Sequence, residues 1–108
     1  MEIKSRVQQR HAWGLETSCG MIPGEDRNWP TLVRDLSHGG VGLVLERRIE
    51  PDSDLAIEVP QADSNPADIL RVRVIHATAI PGGQWLHGCV LVSPLSEDEI
   101  QRLLGAKR

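Results

Sequence analysis

Hydrophobic and polar positions alternate along much of the chain. In DLAIEV (54–59), Leu55, Ile57 and Val59 share one face, with Ala56 and Glu58 on the other. In ILRVRVI (69–75), Leu70, Val72 and Val74 alternate with Arg71 and Arg73. A period of two is the mark of a sheet with one wet face. Val41, Leu43 and Leu45 continue the pattern after a cluster of glycines, and WLHGCVLV (85–92) is a compact apolar run. Pro81, Gly82 and Gly83 join that run to the strand before it as a hairpin-type connection. Residues 11–22 and 31–36 are weaker strand candidates, separated by the turn-rich IPGEDRNWP, and QADSNPAD reads as a loop.

The spacing changes near the C-terminus and predicts a helix over 96–105. Ser96 is a natural N-cap, and Glu99 three residues later completes a capping box. Leu95 and Ile100 are placed to form a hydrophobic staple. Glu97 and Asp98 suit the positive end of the helix dipole, Arg102 lies towards the other end, and Gly105 can close the helix. Ile100, Leu103 and Leu104 give it one apolar face. About six short strands followed by one helix predict an all-β domain, a small antiparallel barrel or sandwich with a C-terminal α-helix. Closing the sheet would remove exposed edges.

Composition narrows the function. A chain of 108 residues fits one domain with one core, and with three Trp but no Phe or Tyr that core must be Val, Ile and Leu. A net charge of −3 argues against a general electrostatic grip on DNA or RNA. No segment approaches the roughly 20 apolar residues that span a bilayer, so no membrane insertion is expected. No signal peptide is visible, and a cytoplasmic location is expected. Cys19 and Cys89 are read as reduced, partly buried thiols. His11, His38, His76 and His87 show no metal-ligand spacing with them, so neither a metal nor a cofactor is expected. His76 and His87 are placed to face each other across the hairpin as a structural pair.

Candidate chemistry gathers in RDLSHGGVG (34–42). The glycines suit tight bulges between strands and match neither a P-loop nor a dinucleotide-binding pattern. Ser37 and His38 invite a nucleophile–base reading, but neighbours on an extended strand point to opposite faces, and there is no nucleophile elbow. Catalysis is therefore not expected. The basic start KSRVQQR offers Arg6 and Arg10, whose guanidinium forks suit phosphate oxygens and the O6/N7 edge of guanine. Asp35 is complementary, because a carboxylate can accept from N1–H and N2–H of a guanine, and Ser37 can add a hydrogen bond. A ligand carrying both phosphates and guanines would use both halves.

Arg6-x-x-x-Arg10 followed by Asp35-x-Ser37-x-x-Gly40 at the start of a strand resembles the PilZ domain. So do the ERR after the third strand, the alternating LRVRVIH, and the closing WLHGCVLVSPLSEDEIQRLL. The resemblance implies a six-stranded antiparallel barrel over 11–108, preceded by a flexible arm over 1–10, that binds cyclic di-GMP. Carried over by position, Arg6 and Arg10 are the arm arginines, and Asp35, Ser37 and Gly40 form the barrel side of the site. Lys4, Ser5, Arg34 and Gly39 are further possible ligand contacts. One or two ligand molecules per site are expected, with ordering of the arm read by a downstream protein partner. The competing reading is a ligand-independent interaction adaptor on the same barrel. An oligonucleotide-binding barrel would need aromatic stacking platforms and a basic groove, which this chain lacks.

Overall fold

The computed structural model describes residues 9–24, 29–60 and 68–105. Six strands are formed: β1 (His11–Met21), β2 (Trp29–Leu36), β3 (Gly40–Leu45), β4 (Asp54–Val59), β5 (Asp68–Ile80) and β6 (Gln84–Leu91). They close into an antiparallel barrel in the order β1-β2-β3-β6-β5-β4. One helix, α1 (Glu97–Leu104), follows. The two weaker strand candidates are β1 and β2, the latter starting at Trp29.

Alternation sorts the side chains as expected. Val33, Leu43, Leu55, Ile57, Val72 and Val74 are fully buried inside, while Arg71, Arg73 and Glu58 face water. Arg73 reaches across to Asp54 on β4 at 2.9 Å, and this contact holds the Asp54 carboxyl below its ordinary range. Gly82 and Gly83 adopt left-handed φ values of 93° and 76°, so the hairpin joining β5 to β6 needs residues without a Cβ. Burial pushes the Cys19 thiol up to about 11 and Cys89 up to about 12, so both are inert packing groups. Both are free and fully buried.

Ser96 caps α1 as the spacing requires. Its hydroxyl accepts from Glu99 N–H at 3.1 Å, and Glu99 in return accepts from Ser96 N–H at 2.8 Å. Ile100 and Leu103 enter the same buried cluster as the barrel interior, and Leu95 packs against it. Among the described residues, no helix is long and apolar enough to cross a membrane.

The histidine pair expected across the hairpin does not form. His76 is opposite Gly88, and His87 is opposite Ala77. His87 points inward instead, is completely buried, and its Nε2 accepts from Ile49 N–H at 3.0 Å. Burial depresses its pKa below the ordinary 6.5, because a charged imidazole would lose water and the Ile49 bond together. Two stability tests follow from these contacts. Below about pH 6.5 the unfolded chain binds the extra proton and the native chain resists it, so the urea midpoint should fall between pH 6.5 and 5.5. His87→Gln, which retains an acceptor for Ile49, should flatten that slope. Replacing the cap, Ser96→Ala, should lower stability by about 1 kcal/mol in the same assay.

Candidate functional site

The outer wall of the barrel near the β2–β3 turn is shaped by a break in register. Val33 pairs with Leu43 and Asp35 pairs with Gly42, so Arg34 is an extra residue in β2. Strict alternation would send Asp35 inward behind Val33. The bulge instead leaves Arg34 and Asp35 together on the outer wall and returns Leu36 to the core. A matching irregularity in β1 lies between Ala12 and Leu15, where Gly14 takes φ 70°. It leaves Ala12 as the small neighbour of Asp35 on that side.

Asp35 is held from two directions. Arg10 Nη1 donates to its Oδ1 at 2.6 Å, and Arg34 Nε donates to its Oδ2 at 3.1 Å. Both arginine side chains remain about half exposed, at 52% and 55%, whereas the aspartate is covered down to 12%. The carboxylate lies directly on Gly42: a Cβ there would stand 2.8 Å from Oδ1. Only glycine at 42 lets the acid lie down on the sheet. A carboxylate accepts about four hydrogen bonds in all, so Asp35 can retain both arginines and still take two donors from a base edge.

The turn after β2 is built by Ser37 and Gly40. Ser37 N–H donates to Gly40 O at 2.9 Å, and Gly40 N–H donates to Ser37 Oγ at 3.1 Å. Ser37 is buried to 1% exposure, so its hydroxyl shapes the turn rather than projecting from it. A Cβ on Gly40 would meet Cys89 O at 3.1 Å and Arg10 Nη2 at 3.5 Å. Arg10 therefore spans from Asp35 to the open flank of Gly40.

Ser37 and His38 lie in this turn, not on a strand as the sequence reading assumed, yet their side chains still diverge. His38 Nδ1 is 2.9 Å from Leu95 O, and its Nε2 is 3.3 Å from Glu97 at the start of α1. His38 O also accepts from Leu95 N–H, and Gly39 O accepts from Leu91 N–H. The turn is thus stitched to the end of β6 and to the entry of the helix. His38 is a link between elements rather than a base for Ser37.

Arg10, Arg34, Asp35, Ser37, Gly39 and Gly40 are brought together. Lys4, Ser5 and Arg6 lie outside the described residues. Gly42 escaped the sequence reading: its value comes from the register that sets Asp35 against it, and the sequence signals only that a glycine follows the turn. A separate groove of about 660 Å³ lies towards the opposite rim, lined by Trp29, Thr31 and Arg47 among others. Arg47 stacks 4.3 Å above the Trp29 ring there. It contains none of the motif residues, and a flat wall carrying paired charges is the better candidate for a polar ligand.

A search among curated proteins returned no match. Among solved structures, the chain is similar to the inhibitor of motility MotI/DgrA of Bacillus subtilis, with a TM-score of 0.62 and 16% identity. That likeness covers 96% of this chain and 50% of the other, so the chain spans about half the length of its structural relative. At such identity the agreement is one of fold. The PilZ domain profile matches residues 6–106, nearly the whole chain, and includes both the arginine pair and the Asp35–Gly40 turn. With a closed six-stranded barrel and a C-terminal helix beneath that match, the chain belongs to the PilZ domain family.

Proposed function

We propose that this domain is a receptor for cyclic di-GMP, acting by binding and not by catalysis. The observation that carries the reading is the Asp35 carboxylate laid on Gly42 between Arg10 and Arg34. An acid placed there by a bulge and braced by two exposed cations suits a ligand that has both hydrogen-bond donors and negative charge. Cyclic di-GMP has both, in the N1–H and N2–H edge of guanine and in its two phosphates. In this reading Asp35 accepts from the guanine edge, and Arg10 with Arg6 contacts phosphates and bases. Gly40 leaves room for approach, while Ser37 and Gly39 hold the turn. Arg34 braces Asp35, and Lys4 and Ser5 flank the arm's first arginine.

Arg10 is already tied to Asp35, so ligand-driven ordering concerns the residues before it. Those residues folding over the ligand would change the surface that a downstream protein reads. The register sets Gly40 beside Val90 on β6, and Val90 beside Arg73 on β5. Val90 and Val92 are 42% and 58% exposed on that flank, an apolar strip next to the site. The strip also gives the adaptor reading its one specific support, since a partner could dock there without ligand.

Calorimetric titration decides between the two. Wild-type protein should bind cyclic di-GMP, and a silent titration at about 50 µM ligand would reject the receptor reading, since dissociation constants of about 1 µM correspond to an ordinary −8 kcal/mol. Arg10→Ala and Asp35→Ala should each weaken binding by more than about 1.5 kcal/mol, the lower end for a hydrogen bond to a charged group. Neither change buries an unpaired charge, so melting temperature should serve as a control for folding. Wild-type affinity in both variants would place the ligand elsewhere.

A further inference from the structure

On the same wall, further from the Ser37–Gly40 turn, register lines up a second set of outer positions. Glu16 on β1 faces Leu32 on β2, Leu32 faces Val44 on β3, and Val44 faces Leu86 on β6. Their chain neighbours Leu15, Val33, Leu43 and Leu45 fill the core, so alternation turns this row outward. Leu32 is half-buried and Val44 only 9% exposed, which gives the row an apolar centre. Both line the groove of about 660 Å³, together with Glu16 from β1 and Glu46 just after β3.

The charges around this groove are left unbalanced. Glu16 and Glu46 are exposed, and neither has an ion-pair partner among the described residues. Arg47, although next to Glu46 in the chain, places its guanidinium 4.3 Å above the Trp29 ring instead. Arg34, the cation of β2, is tied to Asp35 at 3.1 Å. Acids elsewhere on the barrel do find cations, as Asp54 does at Arg73 and Asp68 at Arg102. From Glu16 to Glu46 the path crosses two strand spacings and runs two residues along β3, which puts their Cα atoms roughly 12 Å apart. Leu32 and Val44 lie between them.

We propose that this groove docks an extended basic segment of a partner protein, in which two cations flank one apolar side chain. In an extended chain, side chains at i, i+2 and i+4 share a face and span about 13 Å. A cation-x-apolar-x-cation segment therefore sets one charge on Glu16, its apolar group on Leu32 and Val44, and the other charge on Glu46. Arg47, held on Trp29, is kept from the two acids and leaves both to the incoming cations. A closed barrel offers no free strand edge, so the segment is held by side chains rather than main-chain pairing, and its affinity is modest. The groove shares β2 and β3 with Asp35 but contains neither arginine that holds it, so the proposal stands apart from the cyclic di-GMP reading.

The test titrates the whole chain with the capped peptide Gly-Arg-Ser-Leu-Ser-Arg-Gly, without cyclic di-GMP, and follows it by nuclear magnetic resonance. The Trp29 indole N–H and the methyl groups of Leu32 and Val44 should shift saturably, with a dissociation constant below about 1 mM. Glu16→Gln combined with Glu46→Gln should keep the wild-type melting temperature and weaken binding roughly fivefold, the effect of two exposed ion pairs. A peptide with glutamates in place of its arginines should not bind. No saturable shift in wild type, equal affinity in the double variant, or equal binding of the glutamate peptide would overturn the proposal. So would the same shifts with argininamide alone, which would mark a site for a single cation. The same shifts on concentrating the protein without peptide would make a second copy the occupant and overturn it too. Each of these outcomes leaves the receptor reading to its own titration.

Discussion

Barrel closure is the constraint from which the site follows. Six strands hydrogen-bonded in a ring leave no free edge, so each strand keeps its pairing with two neighbours at once. An extra residue in one strand is then taken up as a bulge, with one side chain turned against the alternation. Here the bulges at Arg34 and Ile75 fall on strands flanking β3 and β6. Both lie level with the Gly42–Gly88 pair. The core is undisturbed, since Leu36 and Val72 remain fully buried. The outer wall gains polar groups at one level and loses Cβ atoms between them.

Electrostatics then organises that level. Asp35 gathers Arg10 and Arg34 in a chain whose net charge is −3, so a local cationic rim forms where the overall balance is acidic. The aspartate is mostly covered while its arginines are half exposed. The acid is therefore the anchored partner, and the half-exposed guanidinium groups keep donors turned to solvent. The same turn is bonded to α1 through His38, Leu95 and Glu97. The Ser37–Gly40 turn and the start of the helix are thus held as one unit.

Legibility followed the range of the interaction. The capping box at Ser96 and Glu99, the alternation of Leu70, Val72 and Val74, and the left-handed hairpin glycines depend on near neighbours, and all were readable in one dimension. The resemblance carried by Arg6, Arg10, Asp35, Ser37 and Gly40 agrees with the family match over residues 6–106. The expected His76–His87 pair failed because an unseen bulge shifts the β5–β6 register, leaving one ring outside and the other fully buried. Gly42 and Gly88 were invisible for the same reason, since a glycine's partner across a strand is set by register. Ser37 looked like a free hydroxyl and is a buried part of the turn.

RDLSHGGVG determines by its own chemistry that a tight, glycine-bearing turn separates two strands and that an acid precedes it. Periodicity likewise determines which faces of β4 and β5 enter the core, because burying apolar side chains on a pleated strand requires a spacing of two. Which way Asp35 and His76 point was decided only in the closed barrel. One extra residue reverses the face of a side chain, and only pairing with the neighbouring strand reveals where that residue is taken up.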